Sequence, residues 1–309
     1  MEIYAPSYCK EFKCIADKCR HSCCVGWEID VDEKTHEKYK VLDSECGKRI
    51  LENIEEDSFG AHFTLDKEGK CQNLDSRGLC KIITALGENY LCDICRLHPR
   101  FFNTVGGRIE MGLGLSCEEA VRLTLGSKAP FTLEKTAENE ESAPDNTEFS
   151  ALPERDRIIA FMEKADGSLG EKLFALEEKY GVKTDSKSYG EWIDFLLSLE
   201  ILDGKWKAIL EAAKEKEPKS DISPYGSALE ALFKYFVFRH VSTAESESAF
   251  RARLAFATLG VRLVAYIAER EDKLTLERLY EIVRLYSSEI ECSEDNTDEL
   301  IFELEMNIM

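Results

Sequence analysis

The residues with the most chemistry to offer are the 12 cysteines of this 309-residue chain. All but Cys292 lie between residues 9 and 117. One group is Cys14, Cys19, Cys23 and Cys24, followed by Val25-Gly26-Trp27. Cys71 and Cys80 form a second group, Cys92 and Cys95 a third, and Cys117 follows alone. The chain start has no basic n-region and no apolar h-region, so the sequence reads as that of a cytoplasmic protein. In a reducing compartment, clustered thiols are more often metal ligands or catalytic groups than disulfides. Thiolates are soft ligands and suit zinc, copper(I) or iron–sulfur clusters. Zinc sites usually come as Cys-x2–4-Cys knuckles, and only Cys19/Cys23 and Cys92/Cys95 have that spacing. Adjacent cysteines point apart in most backbones, so Cys23 and Cys24 suit a polynuclear cluster or two neighbouring centres better than one ion. The pattern favours iron–sulfur over zinc. A packing role as small hydrophobes suits Cys9, Cys46 and Cys292, and suits the clustered thiols poorly.

Other chemistry is sparser. His21 and His98 stand beside the cysteine groups, where ligation competes with surface or packing roles. Arg96 and Arg100 flank Cys95 and would pair with a carboxylate or balance the charge of a metal centre. Trp27, Phe101 and Phe102 read as packing residues. Glu28, Asp30 and Tyr90 are near the cysteines in sequence only, so no catalytic base or donor-binding residue is assigned. No Gly-x-Gly-x-x-Gly opens a helix after a strand, and no phosphate-binding lysine loop is present. The Cys-x3-Cys-x2-Cys spacing of radical S-adenosylmethionine enzymes fails at Gly26.

The elements that must position these residues fall into two regions. A composition of 44% hydrophobic and 32% charged residues is globular, and the length suggests about two domains. A cysteine-rich α+β domain is expected over residues 1–130, an acidic linker over 131–150 and an all-helical domain over 151–309, making the chain mostly α. Glu28 to Asp32 alternates like a strand, and Asp32 would cap a helix through Tyr39. Asp43 to Ile54 reads as a second helix. Phe101 to Val105 and Arg108 to Leu113 read as a hairpin turning on Gly106-Gly107. Ser116-Cys117-Glu118-Glu119 fits a capping box ahead of a helix, with Cys117 at its start. Later, Ile158, Ile159 and Met162, then Trp192, Phe195 and Leu196, recur at helical spacing. Further helices are expected at 246–268, 273–290 and 295–307. The net charge of −20 lies mostly beyond residue 130. It disfavours nucleic acid and anionic membrane as partners, and would attract a basic one. The most apolar stretch, Leu254 to Ala268, is too short to span a bilayer.

These residues together resemble the flagellin lysine-N-methylase family. The likeness runs through Phe12-Lys13-Cys14, Cys19, Cys23-Cys24-Val25-Gly26-Trp27, Gly69-Lys70-Cys71-Gln72-Asn73-Leu74 and Gly78-Leu79-Cys80-Lys81-Ile82. It continues through Leu86 to Leu91, Cys95-Arg96-Leu97-His98-Pro99-Arg100 and Leu115-Ser116-Cys117-Glu118-Glu119-Ala120, covering about residues 8–125. It is weaker at Arg155-Asp156-Arg157 and Tyr235 to Arg239. The first part also resembles the broader zinc- or iron-chelating cysteine-cluster domain. His98 stands where the family carries Tyr or Phe, and Glu118 where it carries Pro. Cys9, Cys46, Cys92 and Cys292 lie outside the family pattern. The resemblance implies Cys14, Cys19, Cys23, Cys24, Cys71, Cys80, Cys95 and Cys117 as metal ligands. It implies a [4Fe–4S] cluster, and methyl transfer from S-adenosylmethionine to lysine ε-amines of flagellin or another lysine-bearing protein.

A protonated lysine, with a pKa of about 10.4, must lose its proton before attacking a sulfonium, and needs no radical step. A cluster would then either hold the fold together or chelate the donor. The competing reading is a non-enzymatic metal-binding adaptor, zinc or iron–sulfur, whose acidic helical domain binds a basic partner.

Overall fold

The computed structural model describes residues 1–58, 60–138 and 149–308. They divide into two compact units, Lys13–Arg100 and a larger one of Met1–Phe12 with Phe101–Met309. The thiol-rich unit is therefore shorter at both ends than the expected 1–130. The reason is long-range strand pairing. Strand β1 (Glu2–Pro6) pairs in parallel with a strand beyond residue 100, which assigns the chain start to the helical unit.

The Lys13–Arg100 unit is built on a three-stranded antiparallel sheet. Its strands are β2 (Ile29–Val31), β3 (Ile54–Glu56) and β4 (Ala61–Phe63), in the order β2-β4-β3. Helix α1 (Glu33–Lys40) starts as expected, with the Asp32 carboxylate accepting from the Thr35 N–H at 2.9 Å. Helix α2 (Glu45–Glu52) is capped by Ser44 and ends sooner than expected, because Ile54 enters β3. Two short helices follow, α3 (Lys81–Leu86) and α4 (Asp93–Leu97). The small core holds Ile29, Tyr39, Ile50, Phe63, Ile82 and Cys92.

In the larger unit, β5 (Arg100–Val105) and β6 (Arg108–Leu113) form the expected hairpin. Gly106 and Gly107 turn it at φ +54° and +70°, the left-handed conformations such a turn requires. Helix α5 (Glu118–Gly126) begins at Cys117 as N-cap, one residue later than a Ser116 capping box needs, and no side-chain cap forms. Strand β7 (Leu133–Glu138) lies within the expected linker and pairs antiparallel with β1, completing the sheet order β5-β6-β1-β7. Its charged residues suit a solvated edge strand, which is why its sequence reads as loop. Residues 139–148 of the expected linker lie outside the described residues.

Eight helices complete this unit: α6 (Leu152–Lys164), α7 (Leu169–Tyr180), α8 (Tyr189–Ser198), α9 (Gly204–Glu215), α10 (Gly226–His240), α11 (Glu247–Glu269), α12 (Leu276–Tyr286) and α13 (Glu294–Ile308). Ser168 and Ser188 open α7 and α8 with complete capping boxes. The anticipated apolar faces are core: Ile158, Ile159, Met162, Trp192 and Leu196 are all buried, and so are Phe233 and Phe236 of α10. Helix α12 runs into a π-helical turn, Ser287–Glu291, which puts the Glu291 carboxylate among buried side chains. Among the described residues, no helix is long and apolar enough to cross a membrane.

Candidate metal centre

Two turns with the same sequence plan present Cys71 and Cys80. Leu65-Asp66-Lys67-Glu68-Gly69-Lys70-Cys71 is followed by Leu74-Asp75-Ser76-Arg77-Gly78-Leu79-Cys80. In the first, Asp66 Oδ1 accepts from the Glu68 and Lys70 N–H groups at 2.8 and 3.0 Å. In the second, Asp75 Oδ1 accepts from Arg77 and Leu79 at 2.8 and 2.9 Å. Gly69 and Gly78 adopt φ +74° and +79°, open to glycine and costly to other residues. Each turn then closes on a bridge between its leucine and its cysteine, Leu65 to Cys71 and Leu74 to Cys80. The same carboxylate-and-glycine device thus delivers two thiols in matching backbone settings.

The third group is delivered by helix starts. Cys80, Cys92 and Cys117 are the N-cap residues of α3, α4 and α5, although none closes a side-chain capping bond. Helix α4 is pinned by Asp32, whose second oxygen accepts from the Asp93 N–H at 2.9 Å. The same carboxylate therefore caps α1 and fixes the Cys92/Cys95 knuckle. Beneath it, the fully buried Tyr39 donates its hydroxyl to the Tyr90 carbonyl at 2.5 Å. Cys24 joins through the backbone, its carbonyl accepting from the Cys71 N–H at 2.9 Å.

Electrostatic interactions link Cys24 with Cys71, Cys80 and Cys95, and Cys80 with Cys71, Cys92 and Cys95. A hydrogen bond from Cys23 brings the Cys24 thiol down to about 7. So the vicinal pair meets through its sulfurs rather than pointing apart. Burial pushes Cys71 up to about 11, against the Asn73 backbone N–H, which favours its thiolate. Burial likewise raises Cys80, opposed by the N–H groups of Ile83 and Ile82. The Cys95 thiol donates to the Cys92 sulfur, which lowers Cys92 and raises Cys95. Asn73 is 3% exposed, and its side-chain amide, like its backbone N–H, favours the thiolate form of Cys71. Donors directed at the Cys71 and Cys80 sulfurs thus partly offset the burial that keeps both as thiols. By donor type and neighbourhood the set fits a thiophilic metal. Among the described residues, no group of three or more His, Cys, Asp and Glu side chains is arranged to hold a metal ion.

The remaining expected ligands are placed differently. Cys14 is exposed, its sulfur accepting from the Ala16 N–H at 3.4 Å. Cys19 donates to the His21 carbonyl at 3.2 Å, within its own loop. Cys117 belongs to the helical unit. Cys9 is buried in the helical core and Cys46 packs on the small core, as their packing roles imply. Cys92, outside the family pattern and read as either an added ligand or an incidental thiol, is wholly buried and hydrogen-bonded to Cys95.

Of the other candidates, Arg96 pairs with Asp93 at 2.6 Å. His98 follows α4, where burial and then Arg100 hold its ring in the neutral form. Trp27 is partly exposed and donates to the Cys23 carbonyl, while Phe101 packs on Tyr235 and Phe238. Glu28 and Asp30 are exposed. The sequence signals for the missed residues were present: the repeated Leu-Asp-x-x-Gly-x-Cys plan for Asp66 and Asp75, but none for the second role of Asp32.

This architecture is a thiol-rich knuckle unit on a mostly α chain. Two proteins named lysine-N-methylase, from Salmonella choleraesuis (strain SC-B67) and Salmonella typhimurium (strain LT2), are each 28% identical to it over 141 residues. That is 43% of this chain and 35% of each relative, so the match spans about a third of the length of those proteins. The flagellar biosynthetic protein FliU of Salmonella muenchen is 28% identical over 144 residues, 42% of this chain and 85% of that protein. No family model and no solved structure matches. The chain is thus similar over part of its length to proteins named lysine-N-methylase.

Proposed function

We propose that this protein is a protein-lysine N-methyltransferase that uses S-adenosylmethionine, with a flagellar protein such as flagellin as substrate. The likeness to proteins named lysine-N-methylase carries this reading, and the name of the FliU relative supports the flagellar partner. Cys24, Cys71, Cys80, Cys92 and Cys95 would hold a metal centre, a [4Fe–4S] cluster by their number and softness, with zinc as the alternative. When bound, such a centre would contribute folding energy directly and hold this unit in its folded form. The chain's own residues prepare that unit. Asp66 and Asp75 set the two turns, Asp32 fixes α4, and backbone N–H groups favour thiolates at Cys71 and Cys80.

The test is purification without oxygen, followed by iron, sulfide and zinc analysis and S-adenosylmethionine binding on the same sample. Iron and sulfide with a reducible visible chromophore, and saturable donor binding, are expected. Stoichiometric zinc without donor binding would replace this reading with the metal-binding adaptor.

A further inference from the structure

We propose that a hollow in the helical unit, between α7, α8, α10 and α11, docks a lysine side chain on a basic segment of a partner protein. The identity of the partner rests on the lysine-N-methylase reading; the hollow lies outside the thiol-rich unit. Its volume is about 750 Å³, and its walls include Phe174, Tyr189, Tyr266, Glu230 and Glu269. Phe174 is 61% exposed and Tyr189 38%, so two large rings are left to solvent on one hollow. Tyr189 stacks on Tyr266 with centroids 4.8 Å apart. The Arg270 guanidinium covers Tyr266 at 3.3 Å from the ring centre.

The charges around the hollow decide its occupant. Lys172 is held by Glu230 at 2.8 Å and by the Met162 carbonyl at 3.0 Å. Arg262 is held by Glu177 at 2.6 Å. The start of α7 is answered by the Glu171 carboxylate in its capping box, and the Ser223 N–H by Asp221 at 2.8 Å. These groups are mostly answered, leaving only the buried Arg262 Nε without a partner. Glu269 is different. It has only a loose pair with Arg270, at 3.9 Å. Burial pushes its carboxyl up despite that arginine. An ammonium group would satisfy this carboxylate while its alkyl stem lies on Phe174 and Tyr189. The net charge of −20 adds a long-range attraction for a basic partner.

The test is calorimetric titration of the full chain with a short amphipathic alanine–leucine–lysine peptide and with its ε-acetylated form. The lysine peptide should bind and the acetylated one should not. Glu269→Gln and Phe174→Ala should each weaken binding about tenfold, while Glu215→Gln, an exposed change on α9, leaves it unchanged. Circular dichroism melts check that the variants are folded, and Phe174→Leu should restore part of the affinity. Equal binding of the acetylated peptide, or wild-type affinity in both variants, would overturn the proposal. So would a dimer abolished by Phe174→Ala without peptide binding, which would give the hollow to a second copy. Methyl transfer is read separately. Intact transfer with no peptide binding overturns only the groove, and peptide binding without transfer overturns only the enzyme reading.

Discussion

Asp32 shows how one side chain can support a whole site. Its two oxygens hold the first turn of α1 and the Asp93 N–H at the start of α4. Asp32→Ala frees both donors and should cost about 2 kcal/mol, roughly two capping interactions. Denaturant unfolding would measure it, with metal content falling in parallel and Asp32→Asn intermediate. Sequence reading reached the α1 cap because the cap is local. The contact to Asp93 spans 61 residues and leaves no periodic trace. The thiols divide the same way. Their grouping was legible, but which of them meet was not, since that depends on chain reversal at Gly69 and Gly78. Cys92→Ser and Cys24→Ser should therefore lose metal and soluble yield together, and Cys14→Ser should keep both, as read by metal per chain. Equal loss in Cys14→Ser would return that thiol to the ligand set.

At the scale of elements, buried charge ties the hairpin to the helices. Glu110 on β6 and Arg155 on α6 are both wholly buried and paired at 2.5 Å, and Ser242 accepts from Arg155 at 2.9 Å. Arg155→Ala would leave Glu110 paired with Arg108 alone and should destabilise the protein by about 1–3 kcal/mol in equilibrium unfolding. Arg155 stood out in the sequence as a point of family likeness, and the ion pair is the physical role it has here. The hairpin itself was readable because Gly106-Gly107 demands that turn. Strand β7 was not, because its pairing with β1 is made by backbone and its side chains are mostly charged. The parallel pairing of β1 with β6 brings the hairpin into the helical unit, so the unit boundary falls at Arg100.

At the scale of the whole molecule, stability should fall on the acid side. Glu291 is fully buried; burial raises its carboxyl, but Arg239 and His240 more than offset this and hold it below its ordinary value. His240 is depressed by burial, despite its 2.7 Å bond to Glu291. A depressed group stabilises above its unfolded pKa and loses that contribution as pH falls. His240 therefore begins to destabilise the fold below about 6.5, and Glu291 only in the carboxylate range. Melting temperature should fall from pH 7 to pH 5, and less steeply in His240→Gln. The helical character and the acid excess were legible from composition and periodicity, but α7 and α9 were not, and this buried network depends on the π-helical turn at Ser287–Glu291, for which the sequence carries no rule. The central claim is methyl transfer to lysine. Protein purified without oxygen should be incubated with S-adenosylmethionine and flagellin, and the flagellin peptides mapped by mass spectrometry. Methyl groups on lysine ε-amines, dependent on the donor and lost in Cys24→Ser, are the predicted result. Unmodified flagellin from metal-loaded, donor-saturated protein would contradict the account.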